Sequence, residues 1–223
     1  MKLTQLYAPV SLAHVIGQPR VVRPLLSFLA EPYPEAILLR GGTGTGKTSC
    51  STILSAALAD AEFGAYKESG AKFNAAKVDE YFGPASPFRY RIPAGRFFVL
   101  RIEEFERLPE VAGNMMKDLL EEAIERWRLV VIATSNDTSK LETALLHRFK
   151  VYDFDSGERF AAAFREWLKR VWPIEYEGKL PAASAVWGLL PGGQFSARLA
   201  LDEAQQWLLS HANEEESKEE VSV

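Results

Sequence analysis

The sequence predicts an α/β protein: a parallel β-sheet covered by helices, built around a phosphate loop and followed by a small three-helix domain. Three observations predict it. A glycine-rich segment, "GGTGTGKTS" (41–49), sits between an apolar run and a helix-like run. Short strand-like runs then alternate with helical patterns up to about residue 154, the signature of a parallel sheet with both faces covered. Beyond Phe154 only helical patterns remain. The expected division is residues 1–154 for the sheet domain, 155–211 for the helical domain and 212–223 for a disordered acidic tail.

"AILLR" (36–40) reads as a buried strand leading into the loop. The loop fits G-x-x-x-x-G-K-[ST], opening at Gly41 and closing at Gly46, Lys47 and Thr48. Phosphate binding needs successive backbone N–H groups to converge, and glycine lets the chain wrap that tightly. Gly44, Thr45, Gly46 and Ser49 are therefore expected to bind phosphate along with Lys47, which would reach the β- and γ-phosphates. The Thr48 hydroxyl would ligate Mg²⁺. The helix "TSCSTILSAALAD" would aim the positive end of its dipole at the same point. ATP is the expected ligand.

"GRFFVLRIEEFE" (95–106) holds a second strand ending in Glu103 and Glu104, and the segment from 77 to 96 reads as loop from its prolines and glycines. "VAGNMMKDLLEEAIERWR" (111–128) is helical, with Val111, Met115, Leu119, Leu120, Ile124 and Trp127 on one stripe. "LVVIAT" (129–134) and "KVYDF" (150–154) supply two more strands. Ser156 is expected to cap a helix carrying Phe160, Phe164, Trp167, Leu168 and Val171, with Pro173 ending it. "AASAVWGLL" and "FSARLALDEAQQWLL" are the two further helices.

Composition narrows the function classes. At 47% hydrophobic residues, the 223-residue chain can build a sizeable core. No apolar run is long enough for a bilayer, and the N-terminus lacks a signal-peptide core, so an intracellular protein, cytoplasmic or in the nucleoid or nucleus, is expected. A single cysteine, Cys50, excludes internal disulfides and a cysteine zinc site. The net charge of −4 equals that of "EEESKEE" (214–220), which leaves the remainder neutral. Contact with nucleic acid would then need a local patch; Lys77, Arg89 and Arg91 are the candidates. His14, His147 and His211 show no ligand or triad spacing.

The order of the segments carries a resemblance. "YAPVSLAHVIGQ" (7–18), the phosphate loop, "KFNAA" (72–76), the acidic pair, "NMMKDLLEEA" (114–123), "VIATSND" (131–137) and "ALLHRF" (144–149) together resemble AAA+ ATPases of the clamp-loader group, the replication factor C small subunits and the bacterial gamma/tau subunit. The resemblance implies a P-loop AAA+ domain followed by a helical lid. It implies that Tyr7, Val15 and Ile16 border the adenine, that Glu103 serves the metal and that Glu104 activates water. Asn136 would be sensor 1, touching the γ-phosphate and the attacking water. Arg148 would be the arginine finger and Arg198 the sensor 2 arginine. The implied partners are other AAA+ subunits in a homo- or hetero-oligomer, a sliding clamp and primer–template DNA, without a membrane.

The sequence departs from the family pattern in four places. The strand ends Glu103-Glu104 where Asp-Glu is usual, Arg101 lies inside that strand, and two extra residues precede Arg198. The chain given also carries no helical collar after the lid. These departures leave two other readings open: an assembly subunit that holds ATP with little hydrolysis, and a collar-less loader or remodeller of a protein client.

Overall fold

The computed structural model describes residues 1–59, 64–93, 95–172 and 180–221, and for 211–221 only the path of the backbone. By compactness the chain divides into two units. One comprises 10–41 and 46–154; the other comprises 1–9, 42–45 and the chain from 155. Segments 1–9 and 42–45 thus group with the helical part and not with the sheet, where the sequence reading had put them.

The larger unit is a five-stranded parallel sheet in the order β2-β3-β4-β1-β5, with β1 Glu35–Gly41, β2 Ala65–Ser69, β3 Phe98–Glu103, β4 Leu129–Ser135 and β5 Lys150–Phe154. The strands β1 and β4 are central, which is why both read as unbroken apolar runs: covered on two faces, they have no side to leave polar. Alternate residues feed two cores. Ala36, Leu38, Leu100, Ile102, Val131 and Ala133 pack on one side with helices α4 (Ala75–Phe82), α5 (Glu110–Trp127) and α6 (Thr143–Leu146). Ile37, Leu39, Val99, Val130 and Ile132 pack on the other with α2 (Pro19–Ala30) and α3 (Lys47–Leu58). From β1 the chain crosses to the far edge at β2, whereas from β4 it crosses the other way to β5. The carboxyl ends of β1 and β4 therefore flank a topological switch point, where ligands of open α/β sheets bind.

Three expectations change in this unit. An edge strand, β2, went unread because "AYKES" is half-exposed and carries a lysine and a glutamate. Part of the expected loop 77–96 is helix: α4 runs to Phe82, started by Asn74, whose side chain accepts from the Lys77 N–H at 3.1 Å. The buried stripe of α5 is Ala112, Met116, Leu120, Ala123, Ile124 and Trp127. Val111 is 65% exposed, and Met115 and Leu119 only border the core. The helix turns Met116 inward and Val111 outward.

In the other unit, α1 (Leu3–Leu6) and α7 (Glu158–Val171) accompany α8 (Ala197–Val221), and the Leu3 N–H donates to Gln205 Oε1 at 2.9 Å. The apolar face of α7 buries Phe160, Phe164 and Leu168, and Phe195 closes against the two phenylalanines at 5.4 Å from each ring. The cap of α7 is Gly157 and not Ser156; Asp155 instead accepts from the Gly157 N–H at 2.8 Å. The middle of the three expected helices is only a 3₁₀ turn, Ala182–Ala185, because Gly188 and the Pro191–Gly193 turn leave too short a run for an α-helix. Residues 212–221, expected as a disordered tail, continue α8: glutamate and lysine are good helix formers and no breaker intervenes after Leu208. Pro173, the expected stop of α7, lies outside the described residues.

Candidate functional site

The site begins at the carboxyl end of β1. Gly41, at φ 150, and Gly46, at φ 102, hold backbone conformations that disfavour a side chain, and Gly46 is the cap of α3. Lys47 opens the helix. It is only 7% exposed, yet its ammonium is satisfied: Nζ donates to the Gly41 carbonyl at 2.7 Å and to Asn136 Oδ1 at 2.9 Å. Register is consistent with the second contact: Arg40 of β1 lies opposite Ser135 of β4, so the chain leaves both strands at the same end of the sheet. Thr48 is exposed on the first turn of α3. Val15 lies against Gly46: a Cβ there would meet Val15 Cγ1 at 3.5 Å.

Asn136 is held from behind. Glu106, on the 3₁₀ turn Phe105–Arg107 that follows β3, accepts from Asn136 Nδ2 at 3.0 Å and from its backbone N–H at 3.3 Å. The turn beyond is locked as well. Ser135 Oγ donates to the Asp137 carbonyl at 2.6 Å, and the Asp137 carboxylate accepts from the Ser139 hydroxyl and N–H. Those two hydrogen bonds, the hydroxyl's first, hold the Asp137 carboxyl below its ordinary value. The site thus contains a continuous relay from Gly41 through Lys47 and Asn136 to Glu106.

The acidic pair divides. Glu103 is the last residue of β3 and both of its oxygens are engaged, Oε1 by Arg101 Nη2 at 2.8 Å and Oε2 by Lys67 Nζ at 3.0 Å. Glu104 leaves the strand in the left-handed region (φ 55, ψ 49), half-exposed, with Arg107 at 2.8 Å from Oε2. Gly70 makes this possible: a Cβ on it would run into the Glu104 carbonyl. Among the described residues, no group of three or more His, Cys, Asp or Glu could hold a metal by itself. A magnesium ion bound mainly by phosphates and water needs less. Thr48 presents an exposed hydroxyl at the start of α3, whereas the Glu103 carboxylate is paired with two cations.

In the unit that contains 42–45, Thr45 Oγ1 donates to the Gly42 carbonyl at 2.8 Å, and the Ala197 N–H donates to the Gly44 carbonyl at 3.2 Å. Gly44 has φ 74 and approaches Ser196 and Arg198 so closely that an added Cβ would meet the Ser196 hydroxyl, with Arg198 Cβ at 3.3 Å. Arg198 therefore stands beside the loop despite its two extra preceding residues. Tyr7 packs edge-on against Trp167 at 5.1 Å, and its hydroxyl donates to the Val171 carbonyl at 3.3 Å. Ile16 is half-buried and Ser49 lies on the first turn of α3.

Arg148 is a surface residue, paired with Glu121 at 2.9 Å. Lys77 pairs with Glu68 at 3.1 Å and with Glu80 at 2.9 Å. Arg89 and Arg91 are exposed, and Arg89 donates to the Pro84 carbonyl at 3.0 Å. Cys50 is wholly buried on α3, and burial pushes its thiol up to about 12. Glu106 and Arg107 are the site residues that sequence reasoning missed; the only signal was a third acid two residues beyond the pair, in "EEFE".

Comparisons with known proteins bear on the family and the fold. Residues 37–154, more than half of the chain, match the profile of the ATPase family associated with various cellular activities (AAA). A RuvB variant from Thermotoga maritima overlays with a TM-score of 0.64 at 20% identity, covering 89% of this chain and 64% of its own. The chain thus spans less than two thirds of that protein. A DNA replication initiation factor overlays at 0.59 and 14% identity, covering 95% of this chain and 68% of its own. A DNA polymerase III gamma subunit-related protein of Thermotoga maritima reaches only 0.49 at 12% identity, over 69% of this chain and 53% of its own, and carries no weight here. No curated protein matches by sequence. At these identities the overlays establish the fold: a phosphate-loop domain with a parallel five-stranded sheet.

Proposed function

Because the chain belongs to the AAA family of ATPases, we propose that it binds and hydrolyses ATP as one subunit of an oligomer acting in DNA replication or repair, in the manner of a sliding-clamp loader subunit. The observation that carries the ATPase reading is the bond between Lys47 and Asn136, which brings the loop lysine and the polar residue after β4 to one point. In this reading Lys47 exchanges Asn136 for the phosphate oxygens of ATP, the first turn of α3 lends its N–H groups and dipole, and Asn136 lines up the attacking water. Glu104 takes the proton from that water. Bound Mg²⁺ would be held by Thr48 and would neutralise phosphate charge. Arg148, exposed at the surface, would act on a neighbouring subunit's nucleotide, and Arg198 would read the bound state from beside Gly44. Tyr7, Val15 and Ile16 would border the adenine. Family membership supports assembly with other AAA subunits. The client is proposed from the names of two overlaid proteins, one a RuvB and the other a DNA replication initiation factor.

Steady-state ATP turnover, with and without primer–template DNA, tests the proposal beside Lys47→Ala. Turnover that rises with DNA and vanishes in the variant is the expected result; turnover in Lys47→Ala equal to that of the native chain would refute the site. Glu104→Gln should lower turnover by about 100-fold or more while ATP stays bound. One observation favours a second reading, an assembly subunit that holds ATP with little hydrolysis: Glu103 is occupied by Arg101 and Lys67. Tight binding without turnover, with or without DNA, would select it.

A further inference from the structure

We infer that Glu106 is the positioning residue of this site: it fixes the Asn136 amide so that the carbonyl oxygen Oδ1, and not the amino group, faces the phosphate end of the nucleotide. The inference rests on the ATPase reading and says which end of Asn136 works in it. Two neighbours dictate the orientation independently. The Glu106 carboxylate only accepts hydrogen bonds, so the amide NH₂ must face it, and Nδ2 lies 3.0 Å from Oε1. The Lys47 ammonium only donates, so the oxygen must face it, and Oδ1 lies 2.9 Å from Nζ. Glu106 also accepts from the Asn136 backbone N–H, so the carboxylate grips the residue at two points. When Lys47 turns to a phosphate, the group left at the site is an acceptor. It can accept a hydrogen bond from the attacking water; it cannot donate to the γ-phosphate. The backbone around Asn136 has its own locks at Ser135, Asp137 and Ser139, so changes at Glu106 address the amide more than the fold.

The test has a direct and a functional readout, both on the full chain. In ¹⁵N-labelled protein the Asn136 side-chain NH₂ signals are identified by their loss in Asn136→Asp. Glu106→Ala should move them to the position of an unbonded amide and raise their exchange with water about tenfold or more. Signals unchanged in Glu106→Ala would overturn the inference. The functional readout reverses the polarity of the bond. Asn136→Asp sets two carboxylates face to face and should lower kcat about 100-fold. Adding Glu106→Gln lets the glutamine amide donate to the carboxylate now at position 136, which still offers an oxygen toward the nucleotide. The pair should recover kcat at least tenfold, with the KM for ATP changed less than about threefold. No recovery in the double variant would mean that Asn136 works as a donor, and the inference fails. If the native chain shows no turnover, the ATPase reading has failed instead, and the NH₂ signals still decide the role of Glu106.

Discussion

Replacing Glu103 with alanine should destabilise the protein far more than replacing its partner Arg101 with methionine. The two side chains are 22% and 12% exposed and meet at 2.8 Å. At an effective dielectric near 20 their gross attraction is about 6 kcal/mol, and desolvation of both groups offsets most of it. The asymmetry comes from what each substitution leaves behind. Glu103→Ala strands a guanidinium whose Nε already lacks a hydrogen-bond partner among the described residues and whose Nη2 then loses its carboxylate. That should cost about 2–4 kcal/mol. Arg101→Met removes the buried charge, keeps most of the aliphatic contact, and leaves Glu103 paired with Lys67 at 3.0 Å. Its cost should stay within about 1 kcal/mol. Urea denaturation followed by tryptophan fluorescence reads the difference as a midpoint about 1 M lower for Glu103→Ala. The double variant should resemble Arg101→Met, because without the cation nothing is left stranded. An Arg101→Met variant as unstable as Glu103→Ala would refute the argument.

Other expectations follow from single contacts. Gly44→Ala should cost about 2–4 kcal/mol, from its left-handed backbone and the collision with Ser196, and Ser196→Gly in the same chain should recover only the collision's share. Met116→Ala should cost about 2–4 kcal/mol in urea denaturation, whereas Val111→Ala should stay within about 0.5 kcal/mol; equal effects would mean that the face of α5 is misassigned. Cys50, buried and with its thiol raised to about 12, should resist an aromatic disulfide reagent at pH 8 in the native protein and react at once in denaturant.

The parts of this molecule that were legible in advance share a physical property. A phosphate loop is written in local backbone geometry, so its glycines, lysine and threonine stand together in sequence. Buried parallel strands are continuous apolar runs, which made β1, β3 and β4 visible; β5, at the edge, showed by alternation, with only Tyr152 and Phe154 buried. The edge strand β2 has one open side and mixed residues, and no period marks it. In α4, the prolines and glycines that follow Phe82 masked a short amphipathic helix. The stripe of α5 was shifted because Met115 and Met116 are equivalent in composition, and only packing against the core chooses between them. Glu106 was invisible for a different reason: its bond to Asn136 joins residues 30 positions apart and depends on how β3 and β4 pair. Nothing in either segment alone announces it.

The left-handed turn at Glu104 has a consequence for how this sequence can vary. Folding alone would favour glycine at that position, by about 1 kcal/mol, and would be indifferent to carboxylate chemistry there. Folding holds position 70 to glycine as well, since any side chain would strike the carbonyl of residue 104. A stabilising screen blind to activity would therefore drift toward glycine at both places and lose the acid without disturbing the sheet. Position 104 carries a residue that stability would discard, and position 70, which has no side chain to offer, is where the structure makes room for it.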